Sequence, residues 1–373
     1  MRNAGVVLAR LAVVAAVGSV VVAGPGPAGS AESSTKPPPI RHVFVVNLEN
    51  ESWSQTWGDP SAAPYLTQTL RAQGVLLERY YGVAHNSLPN YLAQISGQTP
   101  NRATQLDCPR FTEFRGRRTG AYDQALGRGC LYPARVETLP GQLAERGLAW
   151  KGYMEDMASP CRHPDVGEVD RNQQATEVGA YATRHNPFVY FHSIIDGPAC
   201  AANDVPLDEL TTDLAKVATT ANYSMITPDL CNGGHDETCP DGGPGGLEAI
   251  DEWLELWVPR ITSSPAFRAD GLLVITFDEA ELTGDAARSS SCCKEPQPPN
   301  VQRAGIYGPG GGRVGALLLS RYVTPGATNA TPYDHYSLLC SIEELFGLAK
   351  LGYAGAPGVR CFGADVYTRT SSR

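Results

Sequence analysis

Apolar positions along this chain follow two rhythms. Residues 42–48, 149–154, 223–227 and 271–277 form short, nearly unbroken apolar runs, as expected of strands buried on both faces of a sheet. A fifth run, 314–319, reads as a last core strand. Elsewhere apolar residues recur at helical spacing, at 63–70 before Gly74 and at 138–146 before Gly147. Over 247–258 the spacing places Leu247, Ile250, Trp253, Leu254 and Trp257 on one helical face. Another helix is expected to open at Asp334-His335-Tyr336 and run through Phe346. Strands alternating with helices predict an α/β fold with a mostly parallel central sheet. Neither an internal repeat nor a dividing linker is visible, so residues 41–373 read as a single domain behind an extended leader at 32–40.

The remaining stretches interrupt that pattern. Residues 98–136, 158–187 and 281–312 are polar and loop-rich, and they carry much of the cysteine. The first residues look like a secretory signal: Arg2 and Arg10, an apolar run at 11–17, then small residues around Ala31. Cleavage is expected near Ala31, with Ala23 as the other candidate, giving a secreted protein with no stable membrane span. Removing 1–31 takes away two arginines and no acid, moving the formal charge from −9 to −11. So acidic a chain is a poor nucleic-acid binder, which excludes that class of partner.

Ten cysteines in an exported chain point to disulfides. Plausible local pairs are Cys108 with Cys130, Cys161 with Cys200, Cys231 with Cys239 and Cys340 with Cys361. Cys292 and Cys293 are adjacent, which suits no common zinc geometry.

Chemistry enters at the ends of the apolar runs. Glu49-Asn50, Glu155-Asp156, Asp229 and Asp278-Glu279 each follow one immediately. In an open parallel sheet such strand ends share one edge, where ligands bind. One acid there is usually a turn or a cap. Several gathered together repel unless a cation intervenes, and their oxygens suit a hard divalent ion. Residues 84–91 form a polar turn that runs into the apolar 91–95, so Ser87 is expected to open a helix. A serine there is a cap or a nucleophile toward phosphorus, because helix N-termini stabilise phosphate oxygens. Of seven histidines, His85, His185, His235 and His335 stand in polar loops or at helix starts. His42, which opens a strand, His163, in a cysteine loop, and His192, after an aromatic strand, read as structural.

Six segments in order, 45–50, 85–91, 184–188, 232–236, 277–279 and 334–337, resemble the motifs of the phosphoesterase family. That family joins secreted acid phosphatases with bacterial phospholipases C on an alkaline-phosphatase-like fold, and the resemblance runs from about 41 to 347. It implies metal-binding positions at Glu49, Asn50, Asp278 and Glu279, with Ser87 as both nucleophile and metal contact. It further implies that His185 and His235 line the phosphate pocket, that Asp236 orients the second, and that His335 acts at the final helix start. His85 and Asn90 are expected beside the substrate. The family's phospholipases often carry long C-terminal additions, and this chain resembles the compact acid phosphatases instead.

The expectation is a secreted acid phosphatase, dependent on one divalent cation (Mg, Ca, Mn or Zn), that hydrolyses phosphate monoesters through a phosphoserine. A pH optimum below neutrality follows if a pocket histidine must be protonated. Two rivals are a phospholipase C-type diesterase acting on phospholipid head groups and a non-catalytic, exported calcium-binding module.

Overall fold

The computed structural model describes residues 1, 2, 5, 36–171, 173–282 and 286–369. The signal reading at 1–31, apart from residues 1, 2 and 5, and the leader residues 32–35 therefore lie outside the described residues. Contacts gather Lys36–Arg373 into one compact unit.

The core of that unit is an eight-stranded sheet. Its strands are β1 (His42–Leu48), β2 (Val75–Leu77), β3 (Trp150–Met154), β4 (Asp204–Pro206), β5 (Tyr223–Thr227), β6 (Gly271–Phe277), β7 (Ala316–Ser320) and β8 (Thr328–Asn329). Their order is β8-β2-β7-β6-β1-β5-β3-β4. Pairing is parallel from β6 through β1, β5 and β3 to β4. All five runs expected as strands form, and β1, β5 and β6 are buried along their whole length. The departure is β7, which is antiparallel to both β6 and β2. Its apolar run looks the same in either direction, because burial on both faces sets composition and not polarity.

Register decides what meets at the sheet's edge. Leu48 of β1 lies opposite Phe277 of β6, so Glu49 and Asp278 leave adjacent strands side by side. Met154 and Thr227 pair in the same way on the other flank.

Four helices form where the apolar spacing places them: α1 (Ser87–Ser96), α2 (Leu139–Glu145), α3 (Gly246–Ser263) and α4 (His335–Phe346). Ser87 does open α1, although the N-cap residue is Asn86. The helix ends at Gly97, in the left-handed conformation (φ 63°), where a Cβ would stand 2.2 Å from the Leu351 carbonyl oxygen. Helix α3 buries Ile250, Trp253, Leu254 and Trp257, the expected face apart from the half-buried Leu247, and continues through Pro259. Each such side chain contributes about 1.5–3 kcal/mol on burial.

Two expectations need correction. The 98–136 excursion contains a short antiparallel pair, Arg115–Thr119 with Ala125–Arg128. The aromatic segment before His192 is the 3₁₀ turn Pro187–Tyr190 and not a strand; Pro187 sets its first φ, and the Asn186 side chain caps it through Phe188 N–H. The four expected disulfides all form, and Cys292 pairs with Cys293 as a fifth. No helix among the described residues is long and apolar enough to cross a membrane.

The last described segment is fastened by Asp365, whose Oδ2 accepts hydrogen bonds of 2.8 Å from Asn329, Thr331 and Tyr333. Burial pushes this carboxyl up, but those hydrogen bonds outweigh burial and hold it below the usual range. Its contribution is complete above the ordinary aspartate value and is lost as pH falls through the folded value. Asp365→Asn should cost about 1 kcal/mol at neutral pH, a low figure because the carboxylate is solvent-exposed. Thermal melts of the two proteins should converge in acid; a gap that persists there would assign the effect to packing.

Candidate active site

Glu49 is the hub of the strand-end cluster. Its Oε2 accepts a 3.0 Å hydrogen bond from the Ser87 hydroxyl, and its Oε1 accepts one from the Tyr91 hydroxyl. His185 Nε2 lies 3.3 Å from the same Oε2, and burial, then Arg184, lowers this imidazole well below its ordinary value. Ser87 and Tyr91 are one helical turn apart on α1 and so face Glu49 together. His185 stacks on Tyr91, with ring centroids 5.4 Å apart.

Asp278 completes this side. Its Oδ1 accepts from the backbone N–H groups of Asn50 (3.2 Å) and Glu279 (2.7 Å). Its Oδ2 is buried with no hydrogen-bond partner among the described residues. Asn50 thus meets Asp278 through its main chain. Burial first, then Asp278, pushes the Glu49 carboxyl well above the usual range. Burial first, then Glu279, does the same to Asp278. Glu279 turns toward His85 and is also raised, chiefly by burial.

These donors fit a hard divalent cation. Two buried carboxylates and a hydroxyl converge, one carboxylate oxygen is orphaned, and each acid raises another. Among the described residues, three or more His, Cys, Asp or Glu ligand atoms all lie within 4.8 Å of one another elsewhere, at Cys292, Cys293, Glu295 and Asp334 and at Cys161, Cys200 and Asp204, and not among the strand-end acids.

Positive charge comes from a residue that the sequence reading passed over. Arg184 is almost fully buried, donates to His235 Nε2 (3.0 Å) and to the Gln173 carbonyl, and acts on Glu49, Glu279 and Tyr91. Its only signal was its place beside His185 in the 184–188 motif. His235 Nδ1 pairs with Asp236 at 2.7 Å, and its ring centroid is 5.8 Å from that of His185. His235 and Asp236 are half-buried and mark the open side of the cluster. Burial, then Arg184, lowers the His235 imidazole, and Asp236 offsets part of that.

Other named residues are drawn into the frame. Asn90 is fully buried: its Oδ1 accepts from Val83 and Ala84 N–H, and its Nδ2 donates to the Ala84 and Asn86 carbonyls. His85 has Nδ1 on Glu279 and Nε2 2.9 Å from the Arg288 carbonyl, and burial lowers it to about 4. His335 has Nδ1 3.1 Å from the Tyr80 hydroxyl and Nε2 2.6 Å from the Asp278 carbonyl, and burial likewise lowers it to about 4. These three hold the loops that carry Ser87 and Asp278 and present no free polar atom to a ligand. Asp107, which the sequence did not single out, accepts from Leu88 N–H (2.9 Å) at the start of α1.

The acids after β3 and β5 brace loops. Glu155 accepts from Asp229 N–H, Asp229 from Cys231 and Asn232 N–H, and Asp156 from Ala180 N–H. They do not join Glu49. Elsewhere His42 pairs with Asp270, His163 stacks on Phe111, and His192 meets Glu113 and Asp196.

A family profile described as the phosphoesterase family matches residues 59–349, starting after Glu49 and Asn50. The chain is 25% identical over 316 residues to a probable acid phosphatase of Kluyveromyces lactis, covering 84% of this chain and 60% of that protein. It is 27% identical over 317 residues to a phosphatidylinositol-3-phosphatase of Mycobacterium tuberculosis, covering 85% of this chain and 80% of that protein. It spans about 60% of the length of the fungal acid phosphatases it matches. The PsFucS1 sulfatase structure from Pseudoalteromonas sp. aligns with a TM-score of 0.50 at 12% identity, covering 88% of this chain and 72% of that one, a likeness of fold alone.

Asn90→Ala strands four buried backbone groups and should cost about 2–4 kcal/mol. Asn90→Asp, which keeps the acceptor and loses the donor, should fall between the two in denaturant unfolding. Equal stabilities would show that these hydrogen bonds do not hold the 83–86 loop.

Proposed function

Because the chain belongs to the phosphoesterase family, we propose that it is an exported, metal-dependent phosphomonoesterase that works through a phosphoserine at Ser87. The observation that carries this reading is the Ser87 hydroxyl itself. It stands at the N-terminus of a ten-residue helix, hydrogen-bonded to Glu49, in a cluster that contains Arg184, His185 and His235. Helix N-termini favour phosphate oxygens, and a buried guanidinium adds charge-assisted hydrogen bonds to them. Export is supported by five disulfides.

The cation would be held by Glu49 and Asp278, with Asn50 and Glu279 alongside. When bound it supplies Lewis-acid chemistry, lowering the pKa of a hydroxyl and neutralising phosphoryl charge. The chain's own groups do the rest. Ser87 Oγ attacks phosphorus, and its proton passes along the existing hydrogen bond to Glu49 Oε2. The bond from phosphorus to the leaving oxygen breaks as His235, held by Asp236 on Nδ1, gives that oxygen a proton; Nε2 carries this proton once Arg184, which donates to it in the free site, has turned to the phosphate. Water then attacks phosphorus and gives a proton to His235, while the bond to Ser87 Oγ breaks and that oxygen takes back the proton held by Glu49, releasing phosphate. Arg184 and His185 bind the non-reacting oxygens. His235 sits below its ordinary value, so the protonated form that this step needs is populated as pH falls. Turnover should therefore fall on the alkaline side as His235 loses its proton, and fall again in acid as Glu49, raised by burial, takes one up.

Substrates of this class include lipid-borne monoesters, the kind named for the Mycobacterium tuberculosis relative. The test is hydrolysis of para-nitrophenyl phosphate across pH, with and without chelator. Ser87→Ala and Asp278→Asn should each lower turnover by roughly 10³-fold or more, and the chelator should abolish it. Full activity in Ser87→Ala would move the nucleophile elsewhere. Faster cleavage of phosphatidylcholine than of the monoester would replace this reading with a diesterase. No hydrolysis under any metal, with a melting temperature that falls on chelation, would leave the calcium-binding module.

A further inference from the structure

The 281–312 insertion takes no part in the chemistry above, yet it carries a compact set of donors. Cys292 and Cys293 are joined to each other. Glu295 hydrogen-bonds Asp334, the residue that opens α4. One ligand atom from each of Cys292, Cys293, Glu295 and Asp334 lies within 4.8 Å of every other. That is close to the size of a coordination sphere, since sulfur and oxygen ligands at about 2.0–2.3 Å from zinc stand less than about 4 Å apart.

We propose that reduction of the Cys292–Cys293 disulfide by a dithiol converts this cluster into a site for one thiophilic divalent cation, Zn²⁺ or Cd²⁺. The ligands are two thiolates and two carboxylates. The dithiol gives two electrons to the Cys292–Cys293 bond and is itself oxidised to a disulfide. Both cysteines become thiols, and their protons leave to solvent as the cation arrives.

Three features single out this disulfide. Its partners are adjacent in sequence, against separations of 8 to 39 residues in the other four. Opening it therefore frees almost no loop entropy in the unfolded chain, and the two sulfurs still belong to adjacent residues. Both sulfurs belong to half-buried residues, whereas Cys108, Cys130, Cys200 and Cys340 are buried. Cys231–Cys239 is equally accessible, but no acid cluster of this kind surrounds it among the described residues.

Asp334 is also suited to a second duty. Its Oδ1 caps α4 by accepting from Ser337 N–H at 2.7 Å, while its Oδ2 lies 3.9 Å from Cys292 Sγ. Ligation through Oδ2 leaves the cap intact. A cavity of about 60 Å³ lined by Ser291, Tyr336 and Tyr353 borders Glu295.

The experiment compares untreated full-length protein with protein reduced mildly by a dithiol and desalted without air. Alkylation and peptide mapping should find thiols at Cys292 and Cys293. Titration with Cd²⁺ should then raise a sulfur-to-cadmium charge-transfer band that saturates at one ion per chain. Cadmium on the oxygen ligands of the Ser87 site gives no such band, so this outcome is independent of the proposed activity. The band should be absent from untreated protein and from the Cys292→Ser/Cys293→Ser double variant. Glu295→Gln, which leaves every disulfide in place, should weaken Cd²⁺ binding by roughly 10-fold or more. The proposal is overturned by any of four results: no thiols at these positions, no band, a band that survives in the double variant, or wild-type affinity in Glu295→Gln.

Discussion

Negative charge held out of water is the constraint on which the rest of this structure depends. The β1–β6 register sets Glu49 and Asp278 side by side at the end of the sheet, with Glu279 next in line. Each is almost fully buried, and an ionised carboxylate in such a place costs several kcal/mol unless it is compensated. The surrounding elements supply that compensation. Helix α1 turns Ser87 and Tyr91 toward Glu49, the strand ends lend two backbone N–H groups to Asp278, and the 183–185 turn brings in the buried Arg184. Residues distant in sequence are thus tied to one electrostatic centre. One buried Asp278 oxygen is left without a hydrogen-bond partner among the described residues.

The strands were legible because burial on both faces leaves an unmistakable run of apolar residues, and the acids after them because the run stops so abruptly. What composition could not carry was direction and neighbourhood. The antiparallel β7 has the same apolar run that a parallel strand would have. The pairing of β1 with β6, and not with β3, decides that Glu49 meets Asp278 while Glu155 braces Asp229 instead. Both acidic pairs look alike in sequence, and only one joins the cluster.

A similar division runs through the histidines and the amide of Asn90. His85, His185, His235 and His335 occupy comparable polar turns, yet the nitrogens of His85 and His335 are committed to holding loops, while His185 and His235 lie near each other around Arg184. Motif order identified neighbouring segments; where each side chain points depends on packing, which no spacing rule encodes. Arg184 escaped notice for the converse reason. Arginine is rarely buried, so nothing in one sequence marks it as interior. Cysteine pairing was easier, since all five bonds close local stretches of chain.

The Asn90 amide has a further consequence. Its four hydrogen bonds to residues 83, 84 and 86 immobilise the approach to Ser87 in the folded protein itself. The conformational entropy of that loop is lost during folding, not at the encounter with a ligand. Whatever meets Ser87 meets backbone that needs no further ordering, and an encounter there carries no entropy cost from this loop.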